Sequence, residues 1–167
     1  NNDKEFRIIA DHIRTLTFAI ADGAVFSNEG RGYVIRRLLR RSVRYGHDIG
    51  IPGKFMSDIV PSVVETMKNY YPELETKKEY IQGIIDKEEE LFQKTLVSGE
   101  KKLNEMLEKT ENKTLSGTDA FKLYDTYGFP YELTEEYLKE KGYTVDKYEF
   151  DTCMNNQKEM ARKSRKK

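Results

Sequence analysis

Ser27-Asn28-Glu29-Gly30-Arg31-Gly32-Tyr33-Val34-Ile35-Arg36-Arg37-Leu38-Leu39-Arg40-Arg41-Ser42-Val43-Arg44 is a glycine-loosened polar loop that runs straight into a helix striped with arginine. At about 100° per residue, Arg36, Arg40, Arg44, Arg37 and Arg41 share an arc of about 140°. Ile35, Leu38, Leu39, Ser42 and Val43 take the opposite side. The pattern predicts a helix with one buried face and one exposed cationic face. Arginine's planar, forked donors match phosphate oxygens, so a row of them on a rigid element suits a nucleic-acid backbone. The competing reading is a solvated or ion-paired face, for which Asp86, Glu88, Glu89 and Glu90 offer partners.

The same three-four spacing extends through most of the 167 residues, and no segment alternates with a period of two. The fold class expected is therefore all-α, a helical bundle with one long helix or helical arm and two packed helical subdomains. Asp3 is placed to cap a first helix with apolar Phe6, Ile9, Ala10, Ile13, Leu16, Thr17 and Ile20, stopped by a left-handed Gly23. Ser27 or Asn28 caps the arginine helix, which ends at Gly46. A third helix covers 54–70, with Pro61 as a kink or a restart. After Pro72 a periodic stretch runs over 74–109 along Ile81, Ile84, Ile85, Glu88, Leu91, Phe92, Thr95, Leu103, Met106 and Leu107, with a bend or break expected near Gly99. Thr118 caps a short helix leading into Asp125-Thr126-Tyr127-Gly128-Phe129-Pro130, and two further helices cover 131–140 and 146–162. The basic end, Arg162-Lys163-Ser164-Arg165-Lys166-Lys167, reads as a frayed tail.

Charge limits the functional classes. There are 29 basic and 29 acidic side chains, so any electrostatic role comes from segregation rather than excess. Segregation is present: 31–47 holds six Arg and one His without an acid, whereas 86–90 holds four acids and one Lys. The single Cys153 excludes an internal disulfide and reads as a core thiol in a reducing, cytoplasmic setting. No apolar run is long enough to span a bilayer, so no membrane partner is expected. The chain starts without Met, as a piece of a longer protein would.

Catalytic constellations are missing from the pattern. One Cys with His12 and His47 does not supply a zinc cage, and no nucleophile with its base emerges. Gly30-Arg31-Gly32 lacks the preceding strand and the lysine of a phosphate-cradling loop. Two polar clusters, 27–32 and 125–130, stand out. As packing features they are a helix cap and a tight turn with an aromatic plug.

Those clusters also carry a resemblance. Ile9-Ala10-Asp11-His12-Ile13-Arg14, Ala21-Asp22-Gly23, and Ser27 to Val34 with Arg36-Arg37 are similar to the stretch after the class II catalytic core of alanyl-tRNA synthetases. Phe121-Lys122-Leu123-Tyr124-Asp125-Thr126-Tyr127-Gly128-Phe129-Pro130 and Leu133-Thr134 resemble a second signature of that family, in the same order and across a long helical spacer. The resemblance implies a helical tRNA-recognition region, with 1–50 continuing from a catalytic core and 51–167 carrying the long helix. It implies that Asn28 and Asp125 approach a G·U wobble pair in the acceptor stem of alanine tRNA. A-form RNA offers a wide, shallow minor groove, where the guanine amine is the distinguishing donor. Asp125 would accept from that amine and Asn28 would bridge groove atoms, while Arg31, Arg36, Arg37, Arg40, Arg41 and Arg44 would grip phosphates. The partners implied are this acceptor stem and the catalytic and editing domains of the same polypeptide, not DNA. The motifs for ATP, magnesium and alanine, and a zinc-bearing editing domain, belong to parts not represented here. This region alone is therefore expected to be inactive as an ATP-dependent ligase and to need no cofactor. Rival readings are a protein-interaction arm built on 74–109 and an RNA-binding bundle without wobble preference.

Overall fold

The computed structural model describes residues 1–166. Among them the chain forms α1 (Asp3–Ala21), α2 (Gly30–Asp48), α3 (Met56–Met67), α4 (Glu73–Glu108), β1 (Thr114–Leu115), α5 (Gly117–Tyr127), α6 (Tyr131–Glu140), β2 (Thr144–Val145) and α7 (Lys147–Arg165). The two strands pair in parallel, Thr114 with Thr144 and Leu115 with Val145. The fold is all-α as expected. A pair of two-residue strands is too short for alternation to reveal.

The backbone divides into two compact units, Asn1–Lys94 and Thr95–Lys167, with the boundary inside α4. The break expected after residue 50 thus falls inside unit 1. The physical reason lies at Phe55, whose ring occupies the space a Cβ on Gly46 would need, 2.3 Å from Cζ. The Phe55 and Met56 amides also donate to Glu89 at 3.1 and 3.0 Å. The segment after residue 50 is thereby fixed to α2 and α4.

In unit 1, α1 packs on α2 and α3. Its core is Ile9, Ile13, Leu16 and Ile20 from α1, Ile35, Leu39 and Val43 from α2, Met56, Val60 and Val64 from α3, and Ile81, Ile85 and Phe92 from α4. Asn2, not Asp3, is the N-cap of α1, and Phe6 is left exposed, so the buried stripe is narrower than expected. Gly23 adopts φ +99°, the left-handed stop predicted for it. Glu29, rather than Ser27 or Asn28, precedes α2 as N-cap, because the Ser27 hydroxyl donates to the Glu29 carbonyl at 2.9 Å. The helix runs past Gly46 to Asp48. Pro61 sits inside α3 without breaking it. Its missing N–H strands the Ser57 carbonyl four residues earlier, and Gln82 Nε2 donates to that oxygen at 3.1 Å.

In α4 no break occurs at Gly99, and the helix is continuous over 36 residues. Gly99 serves packing instead: a Cβ there would lie 2.5 Å from the Phe129 ring. Leu91, expected in the seam, is exposed, while Glu89 and Leu96 are buried.

In unit 2, α5 packs on α7 and α6. Ser116 caps α5 by accepting from the Asp119 amide at 3.1 Å, and Thr118 instead pairs with Glu149. Asp146 caps α7. The basic end is not frayed through Arg165, which is helical and exposed; Lys167 lies outside the described residues.

Candidate nucleic-acid interface

The arginine stripe is where the structure departs furthest from the pattern. Arg40 and Arg44 are buried, 6% and 5% exposed, and the expected open cationic ridge is corrected accordingly. Arg36 Nε donates to Glu88 Oε1 at 2.6 Å and Arg40 Nη2 donates to the same oxygen at 2.8 Å. The Arg40 guanidinium also lies over the Phe92 ring, 5.1 Å from its centroid. Arg44 Nε pairs with Asp48 at 3.0 Å and its guanidinium lies 5.1 Å from the Tyr45 ring centroid. Arg37 and Arg41 are half-buried against Tyr33 and Tyr45. Arg31 alone of the six is exposed; it reaches the Ala19 carbonyl at 3.1 Å and Asp22 at 3.3 Å.

The cause is the acidic run of α4. A helical wheel for α2 registers one apolar arc, but α1 covers that arc while α4 presents Glu88 to the other. Buried guanidinium needs charge compensation and hydrogen bonds, and Glu88 supplies both. Glu89, fully buried, turns the other way and accepts from the first amides of α3, where the positive end of the helix dipole favours an anion. Burial nevertheless pushes its carboxyl above the usual range, more than those amides lower it. Asp86 completes the run by accepting from Lys54 at 2.8 Å.

Asn28 lies exposed in the loop before α2. Its Oδ1 accepts from Arg36 Nη1 at 2.7 Å. The loop is held close because Gly32 has no side chain: a Cβ there would lie 2.2 Å from the Val25 carbonyl and from Ser27 Oγ. Asn28 is therefore carried on a fixed scaffold, with Nδ2 turned away from Arg36.

Asp125 lies exposed on the last turn of α5, in unit 2. Gly128, at φ +71°, ends that helix in the left-handed conformation, and the Phe129 amide returns to the Leu123 carbonyl at 3.0 Å. Phe129 is fully buried, as an aromatic plug should be. Thr95 Oγ1 donates to the Tyr127 carbonyl at 2.6 Å, tying the turn to α4. Asp125 Oδ1 accepts from Gln157 Nε2 of α7 at 2.8 Å, and among the described residues no further partner of its carboxylate is recorded. A carboxylate at the negative end of a helix gains most from an added donor. Leu133 and Thr134 of the second cluster are buried and serve the core.

Glu88 was legible in the sequence both as one of four possible partners of the arginines and as a member of the α4 seam, and the ion-paired alternative holds for Arg36 and Arg40. Gln157, the support of Asp125, carried no signal at all. Cys153 lies on α7, and His12 and His47 lie on α1 and α2. None of the described helices is long and apolar enough to cross a membrane.

Comparison with known proteins places these residues in context. A family model described as tRNA synthetases class II (A) matches residues 1–167. An alanine–tRNA ligase of Bacillus mycoides (strain KBAB4) is 55% identical over 166 residues, covering 98% of this chain and 19% of that protein. The alanine–tRNA ligases of Bacillus anthracis and Bacillus subtilis (strain 168) are 55% and 54% identical over the same length. The chain thus spans about a fifth of the length of the curated relatives it matches.

Proposed function

The chain belongs to the class II (A) tRNA synthetases, and from that premise we propose that it is the tRNA-recognition part of an alanine–tRNA ligase, reading a G·U wobble pair in the acceptor stem through Asn28 and Asp125. The observation that carries the reading is the state of those two side chains. Each is exposed, each is held at one end by a single polar partner, and each leaves hydrogen-bonding capacity open. Asp125 has acceptor capacity for a groove donor such as the guanine amine, which a wobble pair leaves without its Watson–Crick partner.

The phosphate grip is smaller than the arginine count suggests. Arg40 and Arg44 serve the protein interior, so positioning on the backbone falls to Arg31, Arg37 and Arg41. The Arg31 pair with Asp22 is exposed and easily exchanged for a phosphate. Alanine activation with ATP and magnesium, and zinc-dependent editing, are assigned to other domains of the same cytoplasmic polypeptide.

Titration with acceptor-stem minihelices carrying G·U or G·C tests the reading. Asp125→Ala is expected to lower the preference for the wobble stem by about 1–3 kcal/mol, the size of a lost base contact. Equal losses on both stems would remove base reading from Asp125 and favour a bundle that grips RNA without wobble preference.

A further inference from the structure

We infer that Arg36 and Glu88 are positioning residues that lock the Asn28 amide in one orientation, so that position 28 presents its Nδ2 donors outward. Glu88 holds one edge of the Arg36 guanidinium, with Nε at 2.6 Å and Nη2 at 3.4 Å, and leaves the Nη1 corner for Asn28 Oδ1 at 2.7 Å. Glu88 is itself held: its side chain is 8% exposed, and Arg40, 7% exposed, grips Oε1 from a second direction. A guanidinium is planar, so fixing one edge fixes the third corner. It carries five donors and no acceptor, so an amide rotated by half a turn would set N–H against N–H. Only one orientation of Asn28 is compatible with Arg36, and in it the carbonyl faces the guanidinium while Nδ2 faces away.

The chemistry this selects is an acceptor. In the RNA groove assigned above, on which the nature of the partner rests, the candidates are a pyrimidine O2, a purine N3 or a ribose 2′-oxygen. The orientation of the amide does not depend on that assignment. Position 28 would thus differ from Asp125, which offers acceptors.

Side-chain amide 15N relaxation in the free 167-residue chain tests the lock without RNA. The Asn28 amide is expected to be ordered while exposed Asn155 is mobile, and Arg36→Lys, which leaves the Glu88–Arg40 pair in place, is expected to release Asn28 to the mobility of Asn155. An Asn28 amide as mobile as Asn155 in the unmodified chain would overturn the proposal. Wobble minihelices in which single groove acceptors are removed or weakened by 3-deazaguanine, 2-thiouridine or 2′-deoxyribose test the donor assignment. One such stem is expected to bind about fivefold to tenfold more weakly to the unmodified chain, the scale of one lost hydrogen bond, and no more weakly to Asn28→Ala than the intact stem does. If only removal of a donor, inosine for guanosine, is sensed through Asn28, the donor assignment is wrong. An ordered Asn28 in a chain that binds neither stem would sink the tRNA reading and leave the lock standing.

Discussion

Glu88 shows how one buried carboxylate changes the meaning of a whole stripe of charge. Its partners Arg36 and Arg40 lie 52 and 48 residues earlier in the chain, so no local pattern links them. Removing one partner of a buried ion pair leaves the other charge stranded. Glu88→Ala is therefore expected to cost about 3–5 kcal/mol in urea denaturation, whereas Glu90→Ala, at a half-exposed side chain, should change little. A Glu88→Ala loss below 1 kcal/mol would mean that Arg40 finds water or another acid. At this scale the sequence marked Asn28, Asp125 and the arginines as candidates, but not which way they faced.

Two helices in this protein, α3 and α5, are stabilised at their first turns by residues from other helices. The first residues of α3 have no side-chain cap of their own, and Glu89 of α4 accepts from the Phe55 and Met56 amides. Burial raises the Glu89 carboxyl above its ordinary value of 4.5, so its contribution to stability is full below that value and is lost as pH rises through the raised one. The unfolding free energy of the unmodified chain minus that of Glu89→Gln should accordingly fall as pH increases from about 4.5 upward; a difference that grows instead would reverse the sign of the shift. Glu149 behaves oppositely: the Thr118 amide and hydroxyl hold its carboxyl below the usual range, so what it adds to α5 is present at neutral pH and lost on acidification. Element identity was legible from periodicity, including the stop at Gly23 and the turn at Gly128. Boundaries were less so, because capping at Ser116 rather than Thr118 depends on a single hydroxyl contact.

For the molecule as a whole, zero net charge with strong local segregation leaves two outcomes, an open field or internal pairing. Much of the positive charge of α2 is spent internally, so RNA affinity should depend on salt less steeply than six arginines would give. Arg31→Ala is expected to reduce the slope of log affinity against log salt by about one unit, and Arg44→Ala to lower stability while leaving that slope unchanged. Equal slope changes for the two variants would put Arg44 on the RNA. By itself the sequence determined the helical class, the long α4 and the two polar clusters, because helical periodicity and glycine or proline turns are local properties of the chain. Only the tertiary structure decided that Arg36 and Arg40 lie against Glu88 of α4 and that Asn28 and Asp125 are held by Arg36 and Gln157. Those outcomes depend on which face of one helix meets which face of another, and nothing in a single helix's spacing encodes the charge of its neighbour.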